Sequence, residues 1–265
     1  MLPTDPAAIE LLTEGRIEVS GRLVDASNAT LYCAIEHEGV NAECVYKPIR
    51  GERPLWDFPD GTLAGREVAS YLVCRAMGWF IVPPTVLRSG PFGPGMVQLW
   101  VDTNPERDLV DVVATEEVPH GWRRVLRARD RYGDPALLVH ADHPELKKMA
   151  ALDIVINNAD RKGGHVLRGP DDAVYGVDHG ICLHREDKLR TVLWGWLGEP
   201  LPDEVVEALR SLRSALSSSP LADSLAGHLT RKERTALSDR VDRLLDNCCY
   251  PGPSGDYPAI PWPAF

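Results

Sequence analysis

The chain has 265 residues, 44% hydrophobic and 26% charged, enough apolar mass for a buried core and too much for whole-chain disorder. Lys and Arg number 29 against 39 Asp and Glu, a net charge of −10, and a field of that sign disfavours nucleic acid and anionic membrane surfaces. No apolar run approaches the ~18 residues of a membrane span, and Met1 to Pro6 has neither a basic start nor an apolar signal stretch, so a cytoplasmic setting without integral membrane association is expected.

Ile9 to Gly15 reads as a short helix closed by a glycine. Ile17 to Leu23 alternates apolar and polar residues as a half-buried strand does, Asp25 to Ala29 is a turn, and Thr30 to Glu36 and Asn41 to Pro48 follow as strands. After a Pro-rich loop, Gly51 to Gly61, the helical spacing of Ala64, Val68, Tyr71, Leu72 and Arg75 predicts a helix over Leu63 to Met77. Trp79 to Leu87 and Met96 to Val101 read as strands, with Gly93-Pro94-Gly95 as a turn. Beyond Asp102, Val118 to Arg131 is Arg-rich and reads as a solvated helix face, or else as a dock for an anionic substrate. Glu145 to Asn158 is a helix, Gly163 to Tyr175 a hairpin around Gly169 to Asp172, and Pro202 to Leu216, Pro220 to His228 and Lys232 to Asp246 are helices. Thr230 and Glu233 form a capping-box pattern for the last. The sequence thus divides into a β-rich lobe over 1–101, a mostly helical lobe over 102–250, and a Pro-rich tail over 251–265 that is either docked or disordered. Isolated cysteines among apolar neighbours, with no C-x-x-C pair, read as reduced core thiols rather than a zinc site.

Walker-type, G-x-G-x-x-G, G-x-S-x-G and H-E-x-x-H motifs are absent. The informative stretch is Asn157-Asn158-Ala159-Asp160-Arg161-Lys162-Gly163-Gly164-His165, after a helix and before a short hairpin. Asp178-His179-Gly180 follows that hairpin, so a fold-back brings Asp160 and Asp178 to one cleft edge. Upstream, Lys47 ends a strand, and Glu67 stands on the first long helix.

These four positions together resemble the protein-kinase-like superfamily, its phosphoinositide 3-/4-kinase branch and the bacterial HipA-type kinases in particular, whose catalytic loop D-R-x-x-x-N is followed by a hairpin and D-x-G. The chain is also similar to a family of actinobacterial kinase-like proteins of about this length. The resemblance spans about residues 17 to 185 and implies a two-lobed α+β kinase-like fold using ATP with Mg²⁺ or Mn²⁺. On that resemblance Lys47 contacts the nucleotide phosphates, Glu67 holds Lys47, Asp160 accepts the acceptor's proton, Asp178 binds metal, and His165 takes the second metal position. Met96 to Asp102, with Gln98, Leu99, Trp100 and Val101 among the nucleotide-binding residues, forms the hinge against the adenine. The chain departs from the pattern twice. Its phosphate loop, Asp25 to Ala29, has no glycine, so backbone amides and Ser27 serve instead. His165 stands where an Asn is expected, and imidazole suits Mn²⁺ better than Mg²⁺.

The expected activity is therefore phosphoryl transfer from ATP to a protein Ser/Thr, the chain itself included, or to a small hydroxyl compound, with a lipid less favoured. The alternatives are a nucleotide-binding pseudokinase that regulates or scaffolds, and a metal-dependent hydrolase built from His140, His143, His165, His179, His184 and Cys182. Trp194 and Trp196 read as core packing or as a substrate-binding segment.

Overall fold

The structure, a computed structural model, describes residues 1–265 except 24–27, 104–107, 131, 170–171 and 256. The expected two-lobed α+β fold is what the chain adopts. Helix α1 (Ala8–Glu14) leads into β1 (Arg16–Arg22), β2 (Leu31–His37) and β3 (Val40–Pro48); α2 (Leu63–Ala76) follows, then β4 (Thr85–Gly90) and β5 (Gly93–Leu99). The five strands form one antiparallel sheet in the order β1-β2-β3-β5-β4. Period-two alternation sorts its faces. Cys33, Ile35, Cys44, Tyr46, Val97 and Leu99 pack with Leu11 and Leu12 of α1, whereas Met96 packs with Ala64 and Val68 of α2. Lys47 lies between Tyr46 and Pro48 on β3 and therefore shares the α2 face.

Helix α2 is buried on almost every side, Arg66 and Glu67 included. Thr62 caps it by accepting the Gly65 N–H at 3.0 Å, and the Glu52 carboxylate takes two more free N–H groups, from Leu63 at 3.0 Å and Ala64 at 2.8 Å. Its charged residues reach across to the second lobe. Arg66 donates to Cys182 O at 2.8 Å and to Glu233 Oε1 at 2.5 Å.

The second lobe holds β6 (Val110–Ala114), β7 (Trp122–Arg129) and β8 (Pro135–Ala141), then α3 (Pro144–Ile156), the hairpin β9 (Val166–Arg168) and β10 (Val174–Gly176), and the helices α4 (Asp203–Leu216), α5 (Ser219–Ala226) and α6 (Arg231–Asn247). The capping box of α6 is present on both arms. Four buried cysteines, Cys33, Cys44, Cys74 and Cys182, are free thiols as expected. Among the described residues, no helix is long and apolar enough to cross a membrane.

The structure corrects three expectations. The Arg-rich run is not a helix face: Trp122 to Arg129 is an edge strand of a three-stranded sheet in the order β6-β8-β7. The long apolar run of β8 supplies its central strand, and Arg123 is held by Asp142 at 2.8 Å and by Glu199. The strand expected from Trp79 starts only at Thr85, because Pro83 and Pro84 have no N–H to give a ladder. Gly93 to Gly95 lies inside β5, since the hairpin turn is Pro91-Phe92 between the paired Gly90 and Gly93. A Cβ on Gly95 would overlap the Tyr46 ring and Lys47 O, which explains that glycine. The tail is docked: Ala259 O accepts from Thr191 N at 3.1 Å and Trp194 Nε1 at 2.9 Å, and Ala264 O accepts from Gly163 N at 2.8 Å.

His140 on β8 ties the three-stranded sheet to the helical core. Its Nε2 accepts the Gly195 N–H at 3.0 Å, which leaves the proton on Nδ1, 2.9 Å from Ala141 O. Burial lowers its pKa to about 4. The unfolded imidazole protonates near 6.5, so between these values the unfolded chain binds one more proton. Stability is therefore complete above pH 6.5 and falls as the pH drops, by about 2–3 kcal/mol at pH ~4.5 from this residue. Urea unfolding at pH 7.5 and 4.5 checks it: His140→Gln keeps an acceptor for Gly195 and should shrink the acid loss by that amount.

Candidate active site

Strand β3 delivers Lys47 and α2 delivers Glu67, twenty residues later, to a common point. The Lys47 ammonium lies 2.8 Å from Glu67 Oε1 and is also bonded to Asp178 Oδ1. The other Glu67 oxygen accepts the backbone N–H of His179 at 2.8 Å. One carboxylate thus fixes both the lysine and the backbone of the Asp-His-Gly element. Although burial opposes it, the Asp178 and Glu67 carboxylates raise the Lys47 pKa, so the side chain stays a cation. Lys47 in turn holds the Asp178 carboxyl far below its usual range. Asp178 has φ of +62°, a left-handed conformation that costs a non-glycine residue about 1–2 kcal/mol. The ion pair with Lys47 and the grip of Glu67 on the next residue hold it there.

Asp160 comes from the loop after α3. That helix ends at Asn157, whose left-handed φ of +51° turns the chain away. The Asn157 side chain donates to His184 O at 3.1 Å and Glu186 O at 2.6 Å and accepts from Lys188 N at 2.8 Å. Asn158 Oδ1 accepts the Asp160 N–H at 2.9 Å, while Asn158 Nδ2 donates to Asp153 Oδ1 at 3.0 Å. Asp153 and Arg161 are both fully buried and paired at 2.9 Å. Arg161 also donates to Val177 O at 3.0 Å and meets His179 Nε2 at 2.7 Å. A single buried guanidinium therefore ties the Asp160 loop to the Asp178 element. Burial raises the Asp160 pKa, with Lys162, 3.7 Å away, acting against it.

His165 closes the group: its Nε2 is 3.4 Å from Asp178 Oδ2, and its Nδ1 is buried without a partner. Burial lowers its pKa to about 4. A neutral imidazole and a carboxylate are both groups that can ligate a metal. Among the described residues no three His, Cys, Asp or Glu side chains converge on a metal-sized point. An imidazole nitrogen and a carboxylate oxygen are donor types a divalent ion accepts, with ligand oxygens left to complete its shell, whereas the six residues of the histidine-rich hydrolase reading form no group of three among the described residues.

Lys47, Glu67, Asp160, His165 and Asp178 line one cavity of about 160 Å³ together with Glu52, Lys162 and Thr30. Ser27 lies outside the described residues. Three of the residues expected at the hinge, Leu99, Trp100 and Val101, line a different cavity of about 250 Å³ together with Glu43 and Tyr175. Gln98 is not in it: it is buried and donates to Thr85 Oγ1 at 2.8 Å. Trp100 stands edge-on to Tyr32, with ring centroids 5.0 Å apart. Glu43 and Lys47 belong to the two cavities and lie four residues apart on β3, about 13 Å along an extended strand. The Asp153–Arg161 pair was missed at the sequence level, although Arg161 is the second letter of the loop motif. Glu52 was missed because its partners are backbone groups.

Removing one partner of a fully buried pair leaves an uncompensated charge. Arg161→Met is expected to lower stability by about 3–5 kcal/mol, measured as a shift of the urea midpoint at unchanged slope. Lys162→Met, which removes a half-exposed lysine, should stay within about 0.5 kcal/mol.

No family model matches the chain. Two solved structures follow its course at low identity. A Golgi casein kinase is 14% identical, with 91% of this chain and 73% of that chain covered at a TM-score of 0.47. The Helicobacter pylori proinflammatory kinase CtkA is 11% identical, with 90% and 94% covered at a TM-score of 0.45. Overlaps this loose assign no role to any residue. Similarity to Protein Rv2133c of Mycobacterium tuberculosis (strain ATCC 25618 / H37Rv) is of another order: 52% identity over 264 residues, 96% of this chain and 94% of that protein. Identity at that level over both chains makes this protein a member of the Rv2133c family.

Proposed function

We propose that the protein is an ATP-dependent phosphotransferase of the phosphoinositide 3-/4-kinase-like type, acting in the cytoplasm on a hydroxyl of a protein or small molecule. The observation that carries this reading is the convergence of Lys47, Glu67, Asp160, His165 and Asp178 on one cavity. In it, residues 1–101 are the nucleotide-binding lobe, 102–250 the catalytic lobe, and 251–265 a tail that braces the catalytic loop.

Phosphoryl transfer asks the protein for positioned cations and carboxylates more than for covalent chemistry. Lys47 is a permanent cation fixed by Glu67, and it serves as a point charge for phosphate oxygens. Nucleotide and metal entering the cavity would compete with it for Asp178. Asp160, with a pKa raised by burial, is the proton acceptor. The acceptor oxygen attacks the γ-phosphorus, its proton passes to Asp160, and the bond to the β,γ-bridging oxygen breaks to leave ADP. Asp178 and neutral His165 are the side chains that would hold Mg²⁺ or Mn²⁺, which would neutralise charge on the phosphates. The hinge cavity at Leu99 to Val101 is the place for the adenine. With −10 overall and its basic run folded into an edge strand, the chain favours an acceptor other than a bilayer lipid.

Two outcomes test the proposal with γ-labelled ATP. Asp160→Asn should lower turnover by about 10²–10⁴-fold while ATP still raises the melting temperature. Lys47→Met should weaken that ATP-induced rise. If the wild type shows the rise but no transfer to any acceptor or to itself, the protein is a pseudokinase. If ATP with either metal produces no rise, the nucleotide site is refuted.

Metal preference follows from His165. The nitrogen ligand predicts higher activity in Mn²⁺ than in Mg²⁺, and His165→Asn should reverse the order. An unchanged ratio would remove His165 from the coordination sphere.

A further inference from the structure

A cavity of about 340 Å³ lies in the second lobe and shares no lining residue with the catalytic one. It sits between the end of α3, helix α6 and the chain that leaves Tyr250. Its wall is largely apolar, with Ile154, Leu189, Trp194, Leu244 and Tyr250 facing it. Two cations from α6 complete it. Arg243 is already paired with Asp187, at 3.0 and 3.2 Å. Arg240 is not so served.

Three arginines are buried to this depth among the described residues: Arg66, Arg161 and Arg240. Arg66 has Glu233 and Arg161 has Asp153. Arg240 is only 4% exposed, yet it meets two backbone carbonyls alone, Val155 O at 2.9 Å and His184 O at 3.3 Å. Its Nη2 has no partner, and no ion pair involves it among the described residues. Burial lowers its pKa to about 10, against the pull of Asp187, which also lines the cavity, and of Asp239, neither of which is bonded to it. A buried guanidinium without a counter-charge is costly, and an anion beside it removes that cost. Small-molecule sites have this form: an apolar hollow of some 300 Å³ or more with a few polar groups that fix orientation.

We propose that this cavity binds a small amphipathic carboxylate, its head at Arg240 and its apolar body against the Trp194, Leu244 and Tyr250 wall. Size narrows the body. A cavity of about 150 Å³ holds one benzene ring, so this one suits two fused rings or a medium-length acyl chain. The site is independent of the phosphotransferase reading.

Calorimetric titration of the full chain tests it, with decanoate and 2-naphthoate as probes, their alcohols as neutral counterparts, and inorganic phosphate alone. At least one acid should bind with one-to-one stoichiometry and about tenfold or more tighter than its alcohol, the factor of a charge-assisted hydrogen bond. Whichever acid binds tighter identifies an acyl or an aromatic source. Arg240→Met should abolish the preference for acid over alcohol. Should that variant misfold, Gly252→Phe carries the test. Gly252 is an exposed residue lining the cavity, where an added Cβ meets nothing nearer than Leu197 Cδ1 at 3.4 Å. It should block both probes while leaving the melting temperature near wild type. The proposal is overturned if acids and alcohols bind alike, if phosphate alone binds as well as the acids, if neither acid binds below about millimolar, or if Gly252→Phe changes nothing.

Discussion

The candidate site depends first on the two-sided grip of Glu67. One oxygen holds Lys47 and the other holds the N–H of His179. These two partners come from different lobes, so a single buried carboxylate registers the five-stranded sheet against the Asp-His-Gly element. It can do so because α2 is wedged between the lobes and buried nearly all round. An ordinary amphipathic helix would turn its charges outward. Here the charged pair Arg66 and Glu67 points inward, and each member finds a specific partner across the interface: Glu233 for Arg66, and Lys47 with the His179 backbone for Glu67.

A second buried pair does for the Asp160 loop what Glu67 does for the lobes. Asp153 on α3 holds Asn158, Arg161 and Thr191, and Arg161 carries on to His179 and Val177. Asp160 itself makes few contacts. Its position follows from Asn158 behind it and Arg161 ahead of it. That division suits a reacting group, since a carboxylate committed to structural hydrogen bonds would be a poor proton acceptor. The tail adds a brace from outside: Ala264 O takes the Gly163 N–H, and the Phe265 ring lies where a Gly163 side chain would be.

Much of this was legible in the sequence, for reasons that differ by element. β1 to β3 and α2 followed from apolar periodicity, and α6 from its capping box, because local chemistry decides them. Lys47, Glu67, Asp160, His165 and Asp178 were legible together and not singly: order and spacing carried the signal, while each residue alone is an ordinary surface charge. What failed was tertiary. β7 reads as a basic helix face until it has β8 as a partner. The Asp153–Arg161 pair was invisible because sequence says nothing about which charges are buried. Gln98 lines neither cavity because its amide is taken by Thr85, its cross-strand neighbour on β4, a partner that sequence does not name.

Charge balance connects the site's geometry to what it can accept. The cavity is lined by Glu52, Glu67, Asp160 and Asp178 against Lys47 and Lys162, with His165 neutral, so it holds a surplus of two negative charges. A polyphosphate alone would be repelled by such a lining. A polyphosphate arriving with a divalent cation would bring the missing positive charge and further oxygen ligands, which is what the proposed reading of Asp178 and His165 requires. Glu52 is already neutralised in part by two helix N–H groups, and Lys47 is shared between Glu67 and Asp178, which leaves Asp160, with only Lys162 beside it among the described residues, at 3.7 Å, as the least compensated carboxylate of the cavity. Asp178 is the one kept ionised, and Asp160 the one made more basic. Two residues of one type therefore differ in basicity because their surroundings differ, and on the proposed reading that difference fits Asp178 to metal binding and Asp160 to proton acceptance.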